Sequence, residues 1–167
     1  MERNRVMKTL IVYFSLEGNT KWAVEQIAAK ISADVLALVP KSAYPDKGFK
    51  KFLWGGKSAL MKETPELELY KVDIIQYERI IFATPIWAGT FAPPLRTFIQ
   101  SEDLTGKEFA FVACSGGGSP DKAFASLKAL LNITGDVLTL GLVDPKSHPS
   151  DKNETALKVF CEKLTVE

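Results

Sequence analysis

The sequence predicts an α/β protein built on one doubly wound parallel sheet with helices on both faces. Five short apolar runs alternate with five amphipathic segments of helical period, and no repeat or linker interrupts this series. Because crossovers between parallel strands are right-handed, only a few strand orders are possible. In all of them ligands bind at the carboxyl ends of the strands, which directs attention to the loops after strands 1, 3 and 4.

The first strand is predicted at residues 9–14 (TLIVYF), a continuous apolar run typical of a strand covered on both faces. The helix that follows carries its apolar residues at intervals of four: Ala23, Ile27 and Ile31. A second apolar strand is expected at residues 35–39 (VLALV). The next helix has one apolar face and ends before Pro65; that face consists of Phe49, Phe52, Leu53 and Leu60.

An irregular connector over residues 66–78 leads to the third strand, RIIFATP at residues 79–85. Pro93 and Pro94 then open a helix, because proline is tolerated in a first helical turn. The inward side chains of this helix are Leu95, Phe98 and Ile99.

The fourth strand is predicted at residues 109–114 (FAFVAC). Ser119 followed by Pro120 is a helix start, with a capping hydroxyl before a proline. The buried stripe of this helix consists of Ala123, Phe124, Leu127, Leu130 and Leu131. The fifth strand is expected at residues 136–140, and the last helix near Asp151, with Glu154 completing a capping box.

Length and composition limit the class of protein. The chain has 167 residues, of which 46% are hydrophobic and 25% charged, and this fits one globular domain. We expect residues 1–7 to be an N-terminal extension and residues 8–167 to form the domain. The net charge of +1 indicates no nucleic-acid partner. No apolar run approaches the ~18 residues of a membrane helix, and Cys114 and Cys161 show no metal or redox spacing, so a cytoplasmic location is expected.

The loop after the first strand has the composition of an anion site. It reads Ser15-Leu16-Glu17-Gly18-Asn19-Thr20 and joins a strand end to a helix N-terminus, where unpaired N–H groups and the helix dipole favour a phosphate. Gly18 allows a tight curl, and Ser15, Asn19 and Thr20 add side-chain donors. The alternative is an ordinary helix-capping turn.

The loops after the third and fourth strands suit a flat ligand. In the first of them, Trp87 is expected either to offer an indole face to a planar ligand or to fold back onto the sheet edge. This loop consists of Thr84, Pro85, Ile86, Trp87, Ala88, Gly89 and Thr90. In the second loop, small residues permit close approach of peptide N–H groups to a ligand edge. It consists of Cys114, Ser115, Gly116, Gly117 and Gly118, and we expect Cys114 to be a buried strand-end thiol rather than a redox centre.

Together these loops resemble those of the flavodoxin-like family of longer type. Residues 15–20 match the family's phosphate signature, Ser/Thr-x-Thr-Gly-x-Thr, except at Glu17, and the segments PIWAGTFAPPLRTFI and CSGGGS are similar to its flavin-contacting loops. The resemblance implies strand order 2-1-3-4-5 and bound FMN. It also implies that residues 85–90 line the isoalloxazine ring and that residues 114–119 meet its pyrimidine edge. The residues that it implies hold the phosphate are Ser15, Gly18, Asn19 and Thr20.

Two departures from the family pattern bear on function. The loop after the fourth strand lacks an aromatic residue, so one flavin face is expected to be open. Glu17 is expected to turn its side chain towards solvent, because a carboxylate ~4 Å from a phosphate charge costs about 4 kcal/mol at an effective dielectric of 20. His148, the single histidine, is expected on the surface.

Three functions remain open at this point. The first is electron transfer with a redox partner protein, and the second is an NAD(P)H-dependent FMN or quinone reductase. The third is a phosphate-binding module without redox chemistry. Residues 41–62 carry six lysines and one acid, either as a solvated helix face or as a basic rim that steers an anionic partner. The sequence does not specify the oligomeric state.

Overall fold

The computed structural model describes residues 5–45 and 48–166. Its strands are β1 (Thr9–Tyr13), β2 (Asp34–Ala37), β3 (Arg79–Trp87), β4 (Thr90–Phe91), β5 (Glu108–Ser115) and β6 (Leu138–Val143). Its helices are α1 (Asn19–Ile31), α2 (Gly48–Leu60), α3 (Pro93–Ser101), α4 (Asp121–Leu130) and α5 (Asp151–Thr165), with one 3₁₀ turn at Ile74–Gln76.

The strands form one sheet in the order β2-β1-β3-β5-β6, and neighbours along this path are parallel. The short strand β4 pairs antiparallel with the end of β3. This confirms the predicted fold class and the order 2-1-3-4-5, since β5 and β6 are the fourth and fifth strands of the prediction.

Alternating side chains of the central strands supply two apolar layers, one on each face of the sheet. Ile80 and Phe82 of β3 pack with helices α3 and α4, whereas Ile81 and Ala83 pack with α1 and α5. All four are fully buried. Because period-two alternation sends neighbours to opposite faces, a continuous apolar run is what a doubly covered strand requires. Among the described residues, no helix combines the length and apolarity that crossing a bilayer demands.

Several predicted elements differ from the structure. The second strand runs over Asp34–Ala37 rather than 35–39 and is largely exposed at the sheet edge. The N-cap of α4 is Pro120, which makes no side-chain cap, so the N-cap position expected at Ser119 is wrong.

The fifth strand runs over Leu138–Val143 rather than 136–140, and its last residues alternate between buried and exposed, as at a sheet edge. The cap of α5 is Ser150, whose hydroxyl accepts the Asn153 N–H, so the capping box expected one residue later is wrong.

The apolar face predicted for α2 is also different at its end. Leu60 is the last residue of the helix, and its side chain is 62% exposed rather than buried. The side chains of Phe49, Phe52 and Leu53, the other three positions of that face, lie outside the described part. The same holds for Lys47 and for the Lys51 side chain in the basic segment.

Candidate functional site

A cavity of about 360 Å³ lies at the carboxyl edge of the sheet. The three loops selected from the sequence border it, together with α2 and the loop after β6. Its lining residues are Ser15, Leu16, Glu17, Asn19, Thr20, Gly56, Pro85, Ile86, Trp87, Ala88, Cys114, Ser115, Gly116 and Asp144.

The loop between β1 and α1 presents unpaired peptide donors to this cavity. Gly18 adopts φ +97°, a conformation that side chains disfavour, and it turns the chain into the helix. The Ser15 hydroxyl accepts the Lys21 N–H at 3.1 Å. Within the described part of the chain, no acceptor lies within hydrogen-bond distance of the N–H groups of Leu16, Gly18 and Asn19. Such a group of N–H donors at a helix N-terminus favours an anion.

The side chain of Asn19 has a different partner from the one expected. Its Oδ1 accepts the N–H groups of Lys146 at 2.9 Å and Ser147 at 3.1 Å, and its Nδ2 donates to the Ser147 hydroxyl. We call this set of contacts the Asn19 clasp. The clasp fixes the loop after β6 beside the first loop, so Asn19 positions the site through its side chain and offers its peptide N–H to a ligand.

The clasp also brings a cation to the first loop. A Cβ built on Gly18 would meet Lys146 Nζ at 3.1 Å, so the ammonium lies directly against Gly18. Lys146 forms no ion pair with a described carboxylate. Glu17, the residue that departs from the family signature, is exposed and borders the same cavity.

The loop after β3 is a tight hairpin. Ala88 and Gly89 have φ of +49° and +78°, and Trp87 pairs with Thr90 across them. Positive φ at both central positions is the requirement of a type I′ turn, which matches the twist of the strands it joins. The hairpin therefore holds Trp87 and Ala88 rigidly at the cavity wall.

Trp87 is fixed by an aromatic cluster and by helix α2. Its ring centroid lies 5.4 Å from that of Phe14 and 4.9 Å from that of Tyr44, both edge-on. A Cβ added to Gly55 would lie 3.1 Å from two of its ring carbons, so the glycine lets α2 pack directly on the indole. The indole thus packs against Phe14, Tyr44 and α2, and it also borders the cavity.

The loop after β5 is exposed and stabilised by its own hydrogen bonds. Ser115 Oγ donates to Gly118 O at 3.0 Å and accepts the Gly117 N–H at 3.3 Å. Cys114, at the end of the strand, is 4% exposed, and burial raises the pKa of its thiol to about 12. The expectation that Cys114 is a buried thiol at the end of a strand is confirmed.

Some of the residues predicted for the site do not border the cavity. Thr84 is fully buried, and its hydroxyl donates to Pro85 O at 2.7 Å and accepts the Ala92 N–H at 2.9 Å, so it shapes the hairpin from beneath. The others outside the lining are Gly18, Gly89, Thr90, Gly117 and Gly118.

Four residues at or beside the cavity were missed from the sequence: Gly55, Gly56, Asp144 and Lys146. The two glycines lie inside a helix, where each costs about 1 kcal/mol relative to alanine, and that cost was a signal of close packing. Asp144 and Lys146 belong to the loop after β6, which is not one of the loops after strands 1, 3 and 4 where the sequence predicts a ligand.

His148 in that loop is 80% exposed, which confirms its surface position, and its Nδ1 lies 3.7 Å from Asp144 Oδ2. In the described part of the chain, no cluster of three or more His, Cys, Asp or Glu side chains has the arrangement of a metal site.

The model of the flavodoxin family matches residues 8–141. The chain belongs to the flavodoxin family. This membership confirms the resemblance seen in the sequence and the expectation of FMN as the cofactor.

Solved structures with the same fold agree with this assignment. A flavoprotein from Bacteroides eggerthii is 24% identical with a TM-score of 0.74, and the match covers 96% of this chain and 99% of that one. A flavoprotein from Lactobacillus acidophilus, solved in complex with FMN, is 23% identical with a TM-score of 0.68 over 83% and 94% of the two chains. An azoreductase from Bacillus anthracis is 15% identical with a TM-score of 0.50 over 95% and 97%. A search of curated proteins gave no match.

Proposed function

We propose that this flavodoxin-family protein holds FMN across the cavity at the carboxyl edge of the sheet and works in electron transfer. One observation carries the proposal: a single cavity joins a set of unpaired peptide donors to a wall formed by Trp87 on one side and the Ser115–Gly116 segment on the other. Its volume of about 360 Å³ falls in the range of about 300–1,000 Å³ that is usual for ligand sites.

The residues present fit the phosphate end of FMN. The N–H groups of Leu16 and Asn19, which border the cavity, and of Gly18 between them in sequence have no described acceptor and lie at a helix N-terminus. The ammonium of Lys146 adds a full positive charge against this loop. A carboxylate or water is a weaker match than a phosphate dianion for donors arranged in this way.

The residues at the other end fit a flat ring. Trp87 is held by the hairpin and the aromatic cluster, so it offers a fixed apolar surface to the cavity. The peptide groups after β5 are exposed and able to approach a ring edge. FMN supplies the redox chemistry when it is bound, and the protein orients it and controls access to it. Cys114 borders the cavity as a buried thiol, and burial raises its pKa to about 12.

The test is spectroscopic. We expect freshly purified protein, or protein mixed with FMN, to show flavin absorption that stays with the protein through gel filtration. FMN should bind at least tenfold more tightly than riboflavin, because riboflavin lacks the phosphate. A colourless protein that does not take up FMN contradicts the proposal and favours the phosphate-binding module. Equal affinity for both flavins contradicts the role of the first loop.

A second candidate function is an NAD(P)H-dependent FMN or quinone reductase. The observation that favours it is the exposed run Gly116–Gly118, which carries no side chain to cover that side of the cavity. Steady-state oxidation of NADPH or NADH with a quinone acceptor distinguishes the two functions. Multiple turnovers support the reductase, whereas a protein that is reduced only by chemical or protein donors supports the carrier.

A further inference from the structure

A second cavity, of about 400 Å³, lies on the far side of the β3–β4 hairpin, between the end of α2 and helices α3 and α4. Ala88 borders the first cavity and Thr90 borders this one, so the two cavities meet residues only two positions apart in the same hairpin. Its lining residues are Ala59, Leu60, Lys62, Thr90, Arg96, Lys122, Ser126, Ala129 and Leu130. Three of these described residues are cationic and none is acidic. We call this cavity the cationic pocket.

Arg96 is the central cation of the pocket. It is partly buried, its guanidinium lies 4.9 Å from the centre of the Phe91 ring, and burial lowers the pKa of its side chain. In the described part of the chain its guanidinium forms no ion pair and no side-chain hydrogen bond. A partly desolvated guanidinium without an anionic partner is costly, and its planar donors match a phosphate in a bidentate geometry.

Two lysines and two hydroxyls complete the polar lining. The stem of Lys122 passes over Gly89, with its Cδ 3.5 Å from where a Cβ would lie. Lys62 follows the end of α2 with φ +52°. Neither lysine is paired with a described carboxylate, and Thr90 and Ser126 add hydroxyl donors beside them. Leu60, which is 62% exposed, and Leu130 give the pocket an apolar side.

We propose that the cationic pocket binds a small ligand that carries two or more phosphate groups next to an apolar or aromatic part, as a nicotinamide nucleotide does. Three converging cations offset the charge of a diphosphate, and the apolar side accepts a ring. A concave pocket of this size suits a small molecule better than the flat surface of an acidic protein. The binding of this ligand does not depend on the proposed function. Only its position next to a bound flavin rests on that function, since the same hairpin borders both cavities.

The test uses the full-length protein saturated with FMN, so that the phosphate donors of the first cavity are occupied. Inorganic pyrophosphate and NADP⁺ are titrated by calorimetry at low ionic strength against the wild type, Arg96→Met and Lys122→Met. Each variant keeps an apolar stem and loses one charge. Lys71→Met is the matched control, because Lys71 is exposed, unpaired with any described carboxylate and outside the pocket.

We expect both probes to bind the wild type and Lys71→Met with the same affinity within twofold, and each pocket variant at least tenfold more weakly. Arg96→Lys tests the site again should Arg96→Met not fold, and it should lose NADP⁺ affinity by a smaller factor. Absence of binding to the wild type, or equal losses in Lys71→Met, overturns the proposal. Binding of poly-glutamate without binding of pyrophosphate also overturns it and identifies a protein docking surface. Should the protein take up no FMN, the proposed function fails, while the comparison of Arg96→Met with wild type still decides on the pocket.

Discussion

The two ends of the parallel sheet differ in how they satisfy their polar groups. At the amino end, Arg79 is 3% exposed, and its guanidinium donates to Glu108 Oε1 at 2.7 Å and to Leu164 O at 2.9 Å. Lys107 Nζ donates to two further carbonyls, those of Ile74 and Tyr77. At the carboxyl end, by contrast, Leu16 and Asn19 border the cavity, and their peptide N–H groups have no acceptor among the described residues.

This difference separates the parts of the chain that hold the fold from those that meet a ligand. Both ends are rich in polar groups, so polarity by itself identifies neither. A donor that has a partner within the protein stabilises the fold, whereas a donor left unpaired in a cavity is available to a ligand. Mutations at the amino end should therefore change stability, and mutations at the carboxyl end should change FMN affinity.

The largest expected effect is at the amino end. Arg79→Met leaves Glu108 and the Leu164 carbonyl without their buried partner, and we expect the free energy of unfolding to fall by about 3 kcal/mol. Chemical denaturation measures this change. The FMN dissociation constant of the folded variant should stay within twofold of wild type, and a tenfold change would break the proposed separation. Arg5→Met, which removes the exposed pair with Glu78, is the control and should change stability little.

The second effect is at the wall of the cofactor cavity. Gly55→Ala places a methyl group 3.1 Å from the Trp87 ring, and we expect FMN affinity to fall about tenfold as the indole moves, since overpacking costs about 1–3 kcal/mol. Gly56→Ala is the comparison variant for the Trp87 contact: Gly56 also borders the cavity, but its methyl would meet Ala88 Cβ at 3.7 Å, an ordinary contact, and would not meet the indole. It should raise stability by about 1 kcal/mol through helix propensity. Unchanged FMN affinity in Gly55→Ala would show that Trp87 does not position the ring.

A smaller effect is expected from Lys146→Met. The ammonium lies at the surface, where a unit charge ~4 Å away contributes about 1 kcal/mol, so FMN affinity should fall about fivefold. Riboflavin affinity should not change, and the FMN difference should shrink as salt screens the charge. Fluorescence titration of both flavins at two salt concentrations measures this. Lys152→Met, in the first turn of α5, is the control, and an equal loss there would point to a general charge effect.

The smallest effect is at Glu17, where the family signature has threonine. We expect Glu17→Thr to bind FMN about two- to threefold more tightly. The substitution removes the repulsion between the carboxylate and the phosphate, a few tenths of a kcal/mol in water, and it adds a hydroxyl donor. Glu17→Gln separates the two contributions, since it removes the charge without adding the hydroxyl. Weaker FMN binding by Glu17→Thr would contradict an outward-facing side chain.

The sheet was predictable because its central strands are buried on both faces. Continuous apolar runs such as 79–85 are difficult to mistake, and their alternation with helices determines the fold class. The fifth predicted strand ends before Gly141, whereas β6 continues through this glycine to Val143. The structure explains this glycine: a Cβ there would lie 2.9 Å from Pro120 Cγ, so β6 and the start of α4 require the gap.

The site was predictable in outline and not in its partners. The composition of residues 15–20 and 84–90 identified two loops, since small, hydroxyl and aromatic residues at strand ends suggest a ligand. The role of the Asn19 side chain and the presence of Lys146 depend on a loop more than 120 residues away. No local pattern encodes such a contact, because it arises only once the sheet brings the ends of β1 and β6 to the same edge.

The Asn19 clasp has a consequence for the order in which the protein matures. Asn19 and Ser147 are separated by 128 positions, so a growing chain completes its first loop long before the partner of that loop has been synthesised. A nascent or truncated chain that ends before residue 144 has the signature residues of the phosphate loop and lacks the segment that holds them in place. If the proposed FMN site is correct, we expect a chain truncated before residue 144 to retain less flavin than the full chain, because it lacks the partners of the Asn19 side chain.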